Sequence, residues 1–204
     1  MKKIALAALA AGSALIATPA AAQVAGTVDV TGTVSGRCSV VPAGTEGASA
    51  FAGTIDLLTL DEADGTLRAN LESSSSGSPA DNKHVTARVV CNTATPTVSI
   101  SATAMQITGG TLDGTAGYAD TINYTAQVEV DLVGGGSEFR GINTAGGPVG
   151  SASAPLGARV ANTSGGAANV DVSVYNLHAE GSDSNILAAG TYNGVITVSI
   201  QPGA

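Results

Sequence analysis

The chain has 204 residues, of which 44% are hydrophobic, 3% aromatic and 12% charged, and it contains 27 glycines and no tryptophan. Glycine and β-branched residues are poor helix formers, so this composition excludes a helical bundle and predicts one domain of many short strands. The formal net charge of −8 excludes a nucleic-acid partner, because phosphate binding needs clustered lysine and arginine and the basic residues after Lys3 are scattered singly.

The first 22 residues are typical of a signal peptide. Met1-Lys2-Lys3 is a short positive segment, residues 4–17 are apolar, and Ala20-Ala21-Ala22 supplies the small-residue cleavage pattern. We expect cleavage before Gln23, passage through the periplasm, and a final location at the cell surface or outside the cell. An uncleaved anchor is the alternative, but an anchor normally needs about 20 apolar residues. We expect no membrane span in the mature protein.

Residues 24–34 form the first predicted strand. Valine or glycine occupies every even position, and threonine or aspartate occupies most odd ones. A period of two is that of a strand with one apolar face. Gly36 ends the run, so residues 23–36 are treated as a segment preceding a domain of residues 37–204. The apolar face of this strand includes Val24, Val28, Val30, Gly32 and Val34.

Cys38 and Cys91 are the two cysteines of the chain. In an exported protein, a pair of cysteines is most simply a disulfide, because the compartment is oxidising. Zinc binding is the competing interpretation, but these cysteines have neither CxxC spacing nor an adjacent histidine. The sequence therefore predicts one disulfide.

Further runs of alternating apolar residues follow the first. About seven or eight strands separated by turn residues predict an antiparallel β-sandwich. Between the runs we expect three connections: a serine-rich one at residues 61–83, a glycine-rich one at 133–153 and a polar one at 176–189. The predicted strands after the first are residues 55–60, 85–91, 98–102, 122–132, 170–174 and 192–200.

Catalytic motifs are missing from the sequence. The two histidines, His84 and His178, lie in neither a metal-binding nor a triad pattern, and there is no GxSxG elbow, P-loop or dinucleotide-binding glycine motif. Residues 61–65 are acidic but lack the alternating oxygens and closing glutamate of a calcium loop. We therefore expect no catalytic residues, no cofactor and no metal; a secreted β-rich enzyme is the weaker alternative.

Four segments, in chain order, resemble the spore coat protein U domain and, more broadly, the pilin subunits of the chaperone-usher pathway. The serine-rich and glycine-rich insertions are longer than in a compact member of that group. The resembling segments are Gly26 to Val34 with Cys38-Ser39-Val40, Cys91-Asn92 to Ser101, Ile122-Asn123-Tyr124, and Val174-Tyr175 with Ala188 to Val198.

The resemblance implies an immunoglobulin-like sandwich that lacks its last strand. In such proteins a periplasmic chaperone fills the gap, and at the outer-membrane usher the N-terminal strand of the next subunit replaces it. This chain would then be a structural subunit of a pilus, fimbria or coat, with identical or related subunits as partners and residues 24–34 as donor. The resemblance assigns the closing strand to Gly190, Tyr192, Ile196, Val198 and Ile200.

Two alternatives from other classes remain. In the first, the N-terminal strand folds back on its own domain, which makes a self-contained, adhesin-like binding module in the periplasm or outside the cell. Alternation is the same for a strand donated within a chain or between chains, so the pattern does not separate these interpretations. The second is the secreted β-rich enzyme. A third, a parallel β-helix, would require an internal repeat, and the sequence has none.

Overall fold

The computed structural model describes residues 29–41, 52–75, 77, 82–108, 115–163 and 166–203. The chain divides into two units between Val34 and Ser35, and all the strands belong to the second unit. Within the described residues there is no α-helix, and none long and apolar enough to cross a membrane. The strands are β1 (Cys38–Val40), β2 (His84–Ala87), β3 (Val89–Cys91), β4 (Thr97–Ala102), β5 (Met105–Thr108), β6 (Tyr118–Ala119), β7 (Thr121–Asp131), β8 (Ser137–Asn143), β9 (Gly147–Val149), β10 (Ser153–Pro155), β11 (Val170–Ala179), β12 (Ile186–Leu187), β13 (Thr191–Asn193) and β14 (Ile196–Gln201).

The larger sheet is antiparallel and centres on β7 and β11. Its main path is β13-β5-β7-β11-β2, and β8 pairs with both β7 and β9. β5 and β8 share one edge of β7, because β5 pairs with residues 121–122 and β8 with residues 125–131. Apolar side chains alternate along β7 and β11, so one face of this sheet is buried.

The smaller sheet is also antiparallel, in the order β10-β4-β14. Val98 and Ile100 of β4 belong to the same buried cluster as the inward residues of β7 and β11. The two sheets therefore cover one core, as expected of the predicted antiparallel sandwich. A short parallel pair, β6 with β12, is the exception to the antiparallel rule. The core is built from Val, Ile and Leu, with Tyr124 as its buried aromatic residue.

The glycine-rich region at residues 133–153 was wrongly predicted to be a connection. It contains β8 and β9, and only its three glycines at 134–136, all with positive φ, make the turn after β7. The sequence pattern of β8 is hidden because Arg140, at 8% exposure, occupies an inward position where an apolar residue would be expected. Its guanidinium donates to the carbonyl of Pro155 at 2.7 Å and to Glu138 at 3.1 Å, which compensates for burying the charge.

The polar connection predicted at residues 176–189 is also interrupted by structure. β11 continues to Ala179, and β12 lies at Ile186–Leu187. Asn176 has a φ of 54°, and the register of β11 against β7 shifts between Tyr175 and His178. This irregularity breaks the alternation, which is why the sequence pattern ends the strand at Val174.

The predicted strand at residues 192–200 crosses between the two sheets. Tyr192 in β13 pairs with Ile107 of the larger sheet, whereas Ile196 in β14 pairs with Ala102 of the smaller one. The crossing point is Gly194, where an added Cβ would lie 3.0 Å from both Met105 and the carbonyl of Thr103. Only glycine fits this approach without displacing its neighbours.

Candidate functional site

The structure contains the predicted disulfide between Cys38 and Cys91. These residues are direct cross-strand partners in β1 and β3, with Cα atoms 4.1 Å apart and a sequence separation of 53. Next to the bridge, the Asn92 side chain accepts a hydrogen bond from the Arg37 amide at 2.6 Å and donates to the carbonyl of Ser35 at 2.8 Å. The entry of the chain into the domain is thus fixed to the end of β3.

β14 is an edge strand of the smaller sheet among the described residues. β4 pairs with one side of β14, and the Thr103 amide donates to the carbonyl of Val195 at 3.0 Å. Because hydrogen-bonded positions alternate in an antiparallel pair, the backbone groups of Ile196, Val198 and Ile200 point away from β4. The side chains of the same three residues pack partly buried against the core. The edge therefore offers unpaired backbone beside an apolar surface.

Residues 52–60 lie opposite this edge and do not form the strand predicted at 55–60. Leu58 has a φ of 61°, and its amide donates to the Asp56 carboxylate at 2.9 Å. The chain therefore bends at Leu58, where a strand would need to continue its hydrogen bonds to a neighbouring strand. Leu57 is buried and Ile55 half-buried. Within the described part of the chain, the backbone of residues 52–57 has one hydrogen bond, from the Asn82 side chain to the carbonyl of Asp56 at 2.8 Å.

A groove with both apolar and polar residues in its lining runs between residues 52–60 and the β13–β14 run, and we call it the open groove. One part has a volume of about 580 Å³ and is floored by Val85, Val172 and Val174 of the larger sheet. A second part, of about 630 Å³, extends along residues 54–61 toward Leu187. Both parts share Ile55, Met105 and Tyr192 in their walls, so they form one continuous feature.

The closing-strand residues assigned by the resemblance all lie along this groove or against the core. Tyr192, Ile196, Val198 and Ile200 pack partly buried on the core, and Gly190 lies against Ile107. The Tyr192 hydroxyl is 2.9 Å from each of the carbonyls of Ala119 and Ala188, which fixes its ring in the groove wall. Burial, followed by the charge of Asp120, raises the pKa of Tyr192.

Tyr124 lies deep in the open groove, and in the sequence it stands out only as part of the Ile122-Asn123-Tyr124 resemblance. Its side chain is 3% exposed and its hydroxyl lies near Gly194, 3.1 Å from where a Cβ of that residue would be. Burial raises the pKa of Tyr124 to about 12. No polar partner of this hydroxyl occurs among the residues that the structure describes. No signal in the sequence marks this hydroxyl, because its position depends on the crossing at Gly194.

The predicted N-terminal strand is only partly described. Val24 and Val28 lie outside the described residues, as do the predicted signal peptide and its cleavage site. Residues 29–37 have no strand, Val30 and Val34 are 92% and 88% exposed, and nothing lies within 4 Å of a Cβ built on Gly32. A strand needs a partner for its backbone groups, so the alternation of this segment is not by itself enough to make one.

Both histidines, and Asp64 of the acidic segment at residues 61–65, have partners within the fold. His84 Nδ1 is 2.9 Å from Asp171, and His178 Nδ1 is 3.0 Å from Asp183. The Asp64 carboxylate accepts bonds from the hydroxyl and amide of Thr66, which lower the pKa of Asp64 and close a turn. Among the described ranges, no group of three or more His, Cys, Asp or Glu side chains could hold a metal ion.

Comparisons of the chain with protein-family models, with curated proteins and with solved structures found no match. The function must therefore be inferred from the open groove and the residues that line it.

Proposed function

We propose that this protein is an exported structural subunit that assembles into a surface pilus, fimbria or coat. Each subunit accepts a β-strand from a neighbour in the open groove and donates its own residues 24–34 to the next. The observation that carries the proposal is that, among the described residues, the outer edge of β14 has no strand partner and faces residues 52–57, whose backbone has a single hydrogen bond, across the open groove. Native proteins normally cover such an edge, and strand addition is the direct way to do so.

The length and chemistry of the segment at residues 24–34 suit the edge of β14. At about 3.3 Å per residue, the six residues of β14 span roughly 20 Å, a length that the eleven residues of the donor segment can cover. Burying Val28, Val30 and Val34 contributes about 1.5–3 kcal/mol each before ordering costs. An added strand would also pair with the outward backbone groups of β14. The completed fold would be the immunoglobulin-like sandwich that the resemblance to pilins and spore coat protein U implies, with a periplasmic chaperone and an usher as assembly partners.

The chain path supports donation between subunits over closure within one chain. Gly36 lies beside Pro202, just after the end of β14, because a Cβ at Gly36 would be 3.2 Å from the Pro202 side chain. A segment that preceded Gly36 and folded back along β14 would therefore have to run parallel to β14. A strand from another subunit is free to pair antiparallel, which is slightly more stable per residue.

The test compares Val30→Asp with Thr31→Asp in the mature protein. Val30 is on the apolar face of the donor segment and Thr31 on the polar face, so only the first variant would place a carboxylate in the groove. We expect the wild-type protein and Thr31→Asp to form oligomers in size-exclusion chromatography with light scattering. Val30→Asp should stay monomeric and folded, and should bind a synthetic peptide of residues 23–35.

Other outcomes would contradict assembly. If the wild-type protein is a monomer that Val30→Asp destabilises, the segment closes its own domain and the protein is a self-contained binding module. A stable wild-type monomer that neither forms oligomers nor binds the peptide would exclude strand donation altogether.

A further inference from the structure

The Tyr124 side chain is 3% exposed and lines the open groove together with Met105 and Gly194. Its hydroxyl is not among the described buried polar atoms that lack a partner, so it opens onto the groove, and it makes no hydrogen bond to another described residue. Burial raises the pKa of Tyr124. A tyrosine combines an apolar ring with a polar tip, and that tip normally takes a hydrogen-bond partner. The molecule that fills the groove is placed to supply one.

The walls around this hydroxyl lack a ladder partner for an added strand. β14 begins at Ile196, and the preceding residues, Gly194 and Val195, cross to the other sheet. The carbonyl of Val195 is already bonded to the Thr103 amide. A donor strand lying along β14 would have no backbone partner on β14 at the level of Gly194 and Val195. One of its main-chain carbonyls would then be left in the groove without a hydrogen bond from β14. Among the described side chains that line this part of the groove, the Tyr124 hydroxyl is a donor placed close to that carbonyl.

We infer that Tyr124 is a specificity-determining residue for strand acceptance: its hydroxyl donates a hydrogen bond to a main-chain carbonyl at Gly32 of the donor segment from another copy of this chain. This inference rests on the proposed function. Gly32 has no Cβ, so the donor backbone can approach the hydroxyl closely at that point. The hydroxyl would then favour a donor strand that has a glycine at this position.

The spacing of the apolar residues in the donor segment and in β14 determines which residues of the two strands lie side by side. With Gly32 at the level of Gly194, an antiparallel donor places Val30 beside Ile196 and Val28 beside Val198, and the two-residue period keeps all of them on the core side. The donor reads Gly26-x-Val28-x-Val30-x-Gly32, so a parallel strand would instead bring Gly26 to Tyr124. We expect the donor to insert antiparallel to β14, because antiparallel pairing is slightly more stable than parallel pairing. β14 also has a regular outer edge that is unpaired among the described residues.

The experiment measures peptide affinity on two full-length mature chains. Both carry Val30→Asp, which disables their own donor segment, and one also carries Tyr124→Phe. The probes are three labelled synthetic peptides of residues 23–35: the natural sequence, Gly32→Ala and Gly26→Ala. Dissociation constants come from fluorescence anisotropy, and thermal unfolding without peptide checks each chain. The Gly32→Ala and Gly26→Ala peptides test the contact without any change in the folded protein.

We expect Tyr124→Phe to weaken binding of the natural peptide about 2- to 10-fold, the range of one net hydrogen bond. Its unfolding midpoint without peptide should be unchanged, because the hydroxyl makes no hydrogen bond to another described residue. The Gly32→Ala peptide should bind more weakly and no longer distinguish the two chains, whereas the Gly26→Ala peptide should still distinguish them.

Two results would overturn the inference while leaving strand donation in place. Equal affinity of both chains for the natural peptide would mean that the hydroxyl makes no bond to the donor. Loss of discrimination with Gly26→Ala instead of Gly32→Ala would mean that the strand inserts in the opposite direction. Absence of binding to either chain, with a monomeric wild-type protein, would instead contradict the proposed function itself.

Discussion

At the scale of single residues, Asn169 replaces a missing strand partner inside the core. Its side chain is 3% exposed, accepts a hydrogen bond from the Val89 amide at 2.7 Å, and donates to the carbonyls of Val89 at 2.7 Å and Ala161 at 2.6 Å. One amide group thus satisfies both backbone groups of Val89 in β3. Buried backbone polar groups need such partners, and here a side chain supplies them.

We predict that Asn169→Ala lowers the free energy of unfolding by about 2–4 kcal/mol, because it leaves the buried backbone groups of Val89 unpaired. Equilibrium urea denaturation measures this loss. Asn70→Ala is the matched control: Asn70 is exposed, and the change there should stay within about 0.5 kcal/mol. Similar losses in both variants would show that Asn169 has no special role in β3.

At the scale of elements, β14 combines a packed face and a free edge in six residues, Ile196–Gln201. Its inward side chains complete the core, while its outward backbone groups are available for another strand. The tyrosine-containing β13 before it belongs to the other sheet, so the two short strands join the layers at Gly194. This crossing positions both the edge and Tyr124 in the same groove.

The two faces of β14 should respond differently to a carboxylate. Ile196→Asp places a charge against the core without a partner and should reduce the free energy of unfolding by several kcal/mol, on the order of 2–4. Thr197 is exposed, so Thr197→Asp should change it little. Chemical denaturation of both variants, each in the monomeric Val30→Asp background, gives the comparison. Equal effects would mean that the assignment of the strand faces is wrong.

At the scale of the whole molecule, the disulfide joins β1 to β3 across a sequence separation of 53. A core of Val, Ile and Leu, with Tyr124 as the buried aromatic residue of the described chain, gains substantially from such a crosslink. In the chain-entropy model, closing a loop of this length stabilises the folded state by about 4 kcal/mol. The disulfide is compatible with an exported protein.

Replacing both Cys38 and Cys91 with alanine should therefore lower the free energy of unfolding by about 2–4 kcal/mol. A reducing agent should destabilise the wild-type protein to a similar extent and leave the double variant unaffected, which controls for other effects of the reagent. Mass spectrometry of the exported protein under non-reducing conditions should find one intramolecular bridge. Recovery of two alkylated cysteines would contradict the prediction.

The sequence by itself was enough for the all-β class, the antiparallel sheets, the disulfide, the strands β4 and β7, and the first half of β11. Each of these has a local cause: β-branched residues with a period of two specify a strand with one buried face. The same two-residue period predicts that the side chains of the closing strand face the core. The pairing of the two cysteines needed no more than their number and their expected compartment.

Tertiary structure decided which strands are neighbours, and therefore where the open groove lies. Alternation is the same whichever strand pairs with a segment, so it did not show that residues 192–200 cross between sheets or that residues 52–60 bend at Leu58. The buried charge of Arg140 concealed β8, because its compensation comes from Glu138 and the carbonyl of Pro155. Strand pairing and burial depend on contacts between residues distant in the chain, and a local period carries no information about them.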